Sequence, residues 1–139
     1  SDSRTLLVID YKSASGSSGD WLDERLAAPQ IPLDALALGD EVAAIAVASL
    51  KAWEVGYIGL GGDGECGPGI LPVGTHTGAS ALATDWPGLT RLWRGWLTTL
   101  AQAFAAGDAA VDPRNAEACR YCHLTTLCRR HESGRGQHR

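Results

Sequence analysis

The chain has no apolar run long enough to cross a bilayer. Its longest covers residues 42–50, against the roughly 20 residues that a spanning helix needs. No secretory signal opens it and no internal repeat is visible. A membrane partner is therefore not expected, and the setting read for the chain is cytoplasmic. Excess positive charge is also missing: the formal net charge is −4. From Arg114 onward, however, six arginines stand against Glu117 and Glu132, which makes that end +4 and the remainder −8. A local basic patch on an acidic protein still serves nucleic acid, so the balance does not exclude such a partner. Cysteine is scarce, with only Cys66, Cys119, Cys122 and Cys128. Three of the four fall within ten residues. Without secretory features, that crowding favours a metal or cluster site over disulfides.

What is present is enough for one domain with a real core: 139 residues, 45% of them apolar. The chain opens on Ser1 rather than Met, and it is read as a fragment or a processed product.

Residues 5–11 read as a buried strand, because the apolar run Leu6-Leu7-Val8-Ile9 is rich in strand formers and a Ser/Gly loop follows it. Side chains alternate along a strand, so Asp10 and Lys12 share a face at its C-terminal end. A carboxylate beside an ammonium is what phosphodiester hydrolysis needs. The carboxylate holds Mg²⁺ or Mn²⁺ through oxygen, and the lysine orients water and offsets phosphate charge. The tripeptide Asp-x-Lys is common and also fits an ordinary solvated strand end, so its surroundings must decide. Residues 13–20, Ser/Gly-rich, form a flexible loop beside this pair.

Residues 21–28 read as a short helical or irregular piece. The prolines at 29 and 32 suit a helix's first turn and Gly39 its stop, which predicts a helix over 29–39. Ile31, Ala35 and Leu38 share one of its faces, with Gln30 and Asp34 four apart on another. Residues 42–50 mix alanine with Val and Ile; their length and the preceding Gly39-Asp40 favour a buried strand. Residues 53–60 alternate and form its hairpin partner through a turn near Lys51-Ala52. Residues 61–83 are glycine-rich and irregular. Asp85 then caps a helix with Pro87 in its first turn, and Leu89, Leu92, Trp93, Trp96, Leu97, Leu100 and Phe104 keep helical spacing to Gly107. That aromatic stripe reads as core rather than as a base-stacking surface. The order strand, helix, strand, strand, long helix predicts an α/β fold with a mixed sheet.

Cys119, Cys122 and Cys128 form C-x2-C-x5-C. Soft thiolates in that number suit an iron–sulfur cluster or zinc, with a fourth ligand from elsewhere. Cys66 is one candidate; for zinc, His123 or His131 are others. His76 and His138 belong to no visible constellation.

Together these elements resemble the PD-(D/E)XK nucleases, in the branch of the bacterial RecB/AddB recombination exonucleases and Cas4-like nucleases. Asp10-Tyr11-Lys12 is similar to the (D/E)-x-K element, and Gln30-Ile31-Pro32-Leu33-Asp34 to the Q-x-x-x-Y helix that follows it. Cys119, Cys122 and Cys128 are similar to the C-terminal C-x2-C-x5-C of that branch. The resemblance implies a restriction-endonuclease-like mixed sheet flanked by helices. It implies Asp10 as a ligand of Mg²⁺ or Mn²⁺, Lys12 as the catalytic lysine and Gln30 as a positioning residue. It implies Cys119, Cys122 and Cys128 as ligands of a [4Fe–4S] cluster that staples the C-terminal end to the core, with zinc as the alternative. The implied partners are DNA and the helicase domains or subunit of a repair complex. Residues 1–112 would then be the C-terminal part of a nuclease core, 113–131 the cysteine segment and 132–139 a basic disordered tail.

Three departures stand against the pattern. Asp34 replaces the tyrosine. The branch's upstream histidine and second aspartate have no counterpart before Asp10, and neither does its upstream fourth cysteine. The expectation is therefore a piece of a larger nuclease, inactive and without an intact cluster by itself. The competing expectations are an inactive nuclease-fold DNA-binding or scaffolding module, and a small zinc-binding interaction domain using His131.

Overall fold

The architecture is that of a computed structural model, which describes residues 5–14, 16–51, 54–64 and 66–128. The expected turn at Ala52, His131 and the basic tail lie outside the described residues, as do residues 1–4. Strand β1 is Leu6–Lys12, helix α1 is Gln30–Leu38, β2 is Val42–Lys51 and β3 is Glu54–Gly61. They are followed by β4 (Ile70–Pro72), α2 (Thr77–Ser80), α3 (Trp86–Ala105) and α4 (Thr125–Cys128). Two short 3-10 turns, Ser18–Trp21 and Ala116–Cys119, complete the order. The chain divides into two compact units, Ser1–Ala101 and Gln102–Arg139.

The first unit is built on a four-stranded sheet in the order β1-β2-β3-β4. β1 runs parallel to β2, β2 antiparallel to β3, and β3 parallel to β4. A parallel pair cannot be joined by a tight turn, and α1 supplies the crossover between β1 and β2. α1 packs on both of those strands. It ends where Gly39 takes φ 83°, a left-handed conformation that costs glycine little.

β2 explains why residues 42–50 form a strand despite their alanines. Ile45 and Val47 point into the main core with Trp21, Ile31, Ala35, Leu60, Leu89 and Trp93. Ala44 and Ala46 point to the other face, where they meet Ile70. Both faces are buried, as expected of a central strand. Two tryptophans of α3 tie that helix to the sheet and to the loop after β1. The Trp86 indole N–H donates to the Val42 carbonyl at 2.7 Å, and that of Trp93 to the Trp21 carbonyl at 2.8 Å. The two rings meet edge to face, centroids 5.6 Å apart. Asp85 caps the helix, accepting from the Gly88 N–H at 2.7 Å.

Four expectations need correction. β1 is a strand but not a buried one: it stands at the end of the sheet order, Leu6 and Leu7 are exposed, and none of its residues is fully buried. Residues 61–83 are not irregular throughout: β4 and α2 lie within them. Leu38, the last residue of α1, does not join Ile31 and Ala35 in the core but is exposed. The apolar stripe of α3 is buried at Leu89 and Trp93, whereas Leu100 and Phe104 are 62% and 83% exposed. Helical spacing marks a face; it does not say how far along the helix that face is covered.

Candidate active site

Asp10 and Lys12 sit at the C-terminal end of β1, and alternation puts both on one face. Their side chains meet: Lys12 Nζ lies 3.5 Å from Asp10 Oδ2. The carboxylate is the more sheltered of the two, with side-chain exposures of 23% for Asp10 and 39% for Lys12. Register places Asp10 beside Val47 and Lys12 beside Ser49 on β2. In parallel pairing those residues share a face, so the pair stands on the side of the sheet that carries the main core. A carboxylate with an open edge and an ammonium held beside it can hold a hard divalent cation and meet a phosphate. Mg²⁺ asks for one or two carboxylates and takes further oxygens from substrate phosphate and water, so the donor chemistry of Asp10 fits it.

Gln30 is the first residue of α1 and is exposed. Helix α1 packs on β1, so Gln30 belongs to the element next to the pair; Asp34, one turn further on, is exposed as well.

The loop after β1 is not the free Ser/Gly segment expected from composition. Ser49 Oγ donates to the Ala14 carbonyl at 3.5 Å. At Gly16 a β-carbon would fall 2.9–3.1 Å from three side-chain atoms of Val47, so the backbone is pressed against that residue. Ser18 Oγ lies 3.0 Å from His76 Nε2. His76 Nδ1 in turn accepts from the Ala79 N–H at 3.1 Å. Trp21, 1% exposed, anchors the end of the loop in the core. Sequence reading missed Gly16, Ser18, Ser49 and His76, because their partners lie tens of residues away and no local pattern announces them.

In the second unit, Cys119 ends a 3-10 turn and Cys128 ends α4. The Cys122 N–H donates to the Cys119 carbonyl at 3.2 Å, and the Leu124 N–H donates to Cys122 Sγ at 3.4 Å. No cysteine is in a disulfide. Among the described residues, no three His, Cys, Asp or Glu side chains converge as a metal-holding group. Among the described residues the expected set of three thiolates is therefore not gathered; a zinc set that includes His131 lies outside them. Such sites form with their metal rather than ahead of it, and bare thiols have no attraction to one another that would draw them together. The tight turn between the two cysteines and the N–H aimed at sulfur do fit a thiolate ligand. No helix among the described residues is long and apolar enough to cross a membrane.

The family described as the PD-(D/E)XK nuclease superfamily has a model that matches residues 1–129. No curated protein and no solved structure matches the chain. The mixed sheet flanked by helices is the restriction-endonuclease-like fold expected for that family. Since the match runs through the strand that carries Asp10 and Lys12 and on past the last cysteine, the chain belongs to the PD-(D/E)XK nuclease superfamily.

Proposed function

We propose that this nuclease-fold domain hydrolyses DNA phosphodiesters with a divalent cation at Asp10, and that it works in a bacterial repair or recombination helicase–nuclease of the RecB/AddB/Cas4-like branch. The observation that carries the reading is the 3.5 Å Asp10–Lys12 pair at the C-terminal end of β1 in a chain of this superfamily. Asp10 holds Mg²⁺ or Mn²⁺, which when bound withdraws charge from the phosphate. Lys12 does two things. Its ammonium offers donors that orient an attacking water, and its charge offsets what accumulates on the phosphate oxygens as the bond breaks. Gln30, on the helix packed beside β1, positions DNA or the elements around it.

Cys119, Cys122 and Cys128 are proposed as ligands of a [4Fe–4S] cluster. The Cys119–Cys122 turn and the Leu124 N–H on Cys122 Sγ support this, since N–H donors stabilise a ligating thiolate. The role is structural. Protein purified without oxygen is brown under this reading and colourless if zinc takes the site instead.

The test is Mg²⁺- or Mn²⁺-dependent degradation of linear DNA by the natural chain, including any sequence that precedes Ser1, against Lys12→Ala. The expected loss in Lys12→Ala is at least about 100-fold, the scale of a positioned proton-handling or charge-stabilising group. Unchanged cleavage removes Lys12 from the mechanism. A folded protein that binds DNA and cuts none of it under any metal is a scaffold on a nuclease fold. The exposed Asp34, in place of the branch's tyrosine, is the observation that favours this second reading.

A further inference from the structure

Resting on the nuclease reading, we infer that His76 is a positioning residue for the Asp10–Lys12 site, acting through Ser18 to hold the loop that forms one wall of it. The loop starts at the residue after Lys12. It folds back over β2 instead of leaving the sheet. Ala14 is bonded to Ser49 and Gly16 is pressed on Val47. Those two β2 residues are the register partners of Lys12 and Asp10. At Ala14 and Gly16 the loop therefore lies over the strand next to the catalytic pair, and its Ser18–Trp21 turn continues onto β3.

Three anchors hold it. Ser49 takes the near end, and Trp21 takes the far end through the core and the Trp93 indole bond. Ser18, between them, reaches His76, 58 residues away in the chain. His76 is itself well placed to hold something still. It follows β4, its own N–H donates to the Pro72 carbonyl at 3.0 Å, and its ring caps α2. The neighbouring Gly78 lies close under Leu22, where a β-carbon would come 3.1 Å from Leu22 Cδ1, so α2 and the end of the loop are in contact.

The ring's two bonds also decide what it does. Nδ1 accepts from a backbone N–H, which leaves the proton of a neutral imidazole on Nε2. Nε2 therefore donates to Ser18 Oγ and does not take its proton. This geometry rules out a serine nucleophile activated by histidine, even though the 3.0 Å separation invites that reading. What remains is a strap: a neutral imidazole bridging a cap on α2 to a hydroxyl in the middle of the loop. Without it the loop keeps its two ends and loses its middle, and the wall beside Asp10 and Lys12 becomes mobile.

Three single variants and the Ser18→Ala/His76→Asn double variant test this. Ser18→Ala removes the hydroxyl. His76→Asn keeps a short acceptor for the Ala79 N–H but cannot reach Ser18. Ser18→Thr restores the hydroxyl. Two readouts are taken on the natural chain: amide hydrogen exchange over residues 16–20, and the Kd for linear DNA in Ca²⁺, which supports binding without requiring turnover. We expect faster exchange and an affinity about fivefold weaker in Ser18→Ala and in His76→Asn, the scale of one net hydrogen bond. The double variant should be no weaker than either single one, and Ser18→Thr should return close to wild type. In the cleavage assay the change should fall on KM, with kcat held. Unchanged exchange in Ser18→Ala overturns the strap. Faster exchange with an unchanged Kd overturns its role in the site and leaves a purely structural link. A wild-type chain that binds DNA without cutting it defeats the hydrolase reading alone, and the strap is then judged on Kd.

Discussion

Lys12 and Asp10 are close enough to interact yet too open to contribute much stability. An ion pair with one partner 39% exposed gains little, because water screens it and two side chains must be held in one geometry. Lys12→Ala should therefore shift stability by less than about 1 kcal/mol while abolishing cleavage. Thermal melting beside the DNA assay checks this, and a large drop in Tm would mean that the lysine has a structural role. Gly16→Ala should behave in the opposite way. Its new methyl meets Val47 at 2.9–3.1 Å in a buried contact, so either the loop or β2 must give. The expected cost is about 1–3 kcal/mol, with a loss of DNA affinity, because Val47 is the register partner of Asp10. Asp10 and Lys12 could be read from sequence because strand alternation is a local rule. Ser18 and His76 could not, because a hydrogen bond between residues 58 apart is made by topology and leaves no trace in either neighbourhood.

Among the elements, α3 was the most legible, β2 less so, and β4 and α2 not at all. α3 has one apolar face, so its period shows through, and Asp85 and Pro87 mark its start. β2 is buried on both faces, so it has no polar alternation, and its alanines argue for helix until the neighbouring strands are known. β4 and α2, three and four residues long, are too short for any period to register. The tryptophans of α3 carry more than area. Trp93→Phe keeps most of the ring but leaves the Trp21 carbonyl buried without its donor. It should cost about 1–3 kcal/mol by chemical denaturation, more than the lost area alone predicts. Asp85→Ala removes the cap and should cost about 0.5–2 kcal/mol in the same measurement. If Trp93→Phe is neutral, the indole bond does not hold the loop end and the anchoring of the loop must be sought elsewhere.

For the whole molecule, the two units set different expectations. The first carries the sheet, the core and the Asp10–Lys12 pair; the second carries Cys119, Cys122 and Cys128. If those cysteines hold a cluster, Cys122→Ser should remove the brown colour and open residues 113–128 to protease. Melting of the sheet unit should change little, because none of its buried residues belongs to that segment. Absorbance, iron content and limited proteolysis on protein prepared without oxygen check this. Colour retained in Cys122→Ser would strike that cysteine from the ligand set.

The sequence by itself determined the strand that carries the acid and the lysine, the long amphipathic helix, the mixed α/β order and membership of a nuclease superfamily. All of these rest on local rules: period, capping and motif spacing. The tertiary structure alone decided which apolar residues are covered, leaving Leu38, Leu100 and Phe104 exposed. It also anchored a Ser/Gly segment over β2 and brought His76 to Ser18. These depend on which surfaces meet after the chain has folded back on itself. Contacts of that kind, between residues tens of positions apart, are set by the packing of the sheet and its helices rather than by any neighbour in sequence.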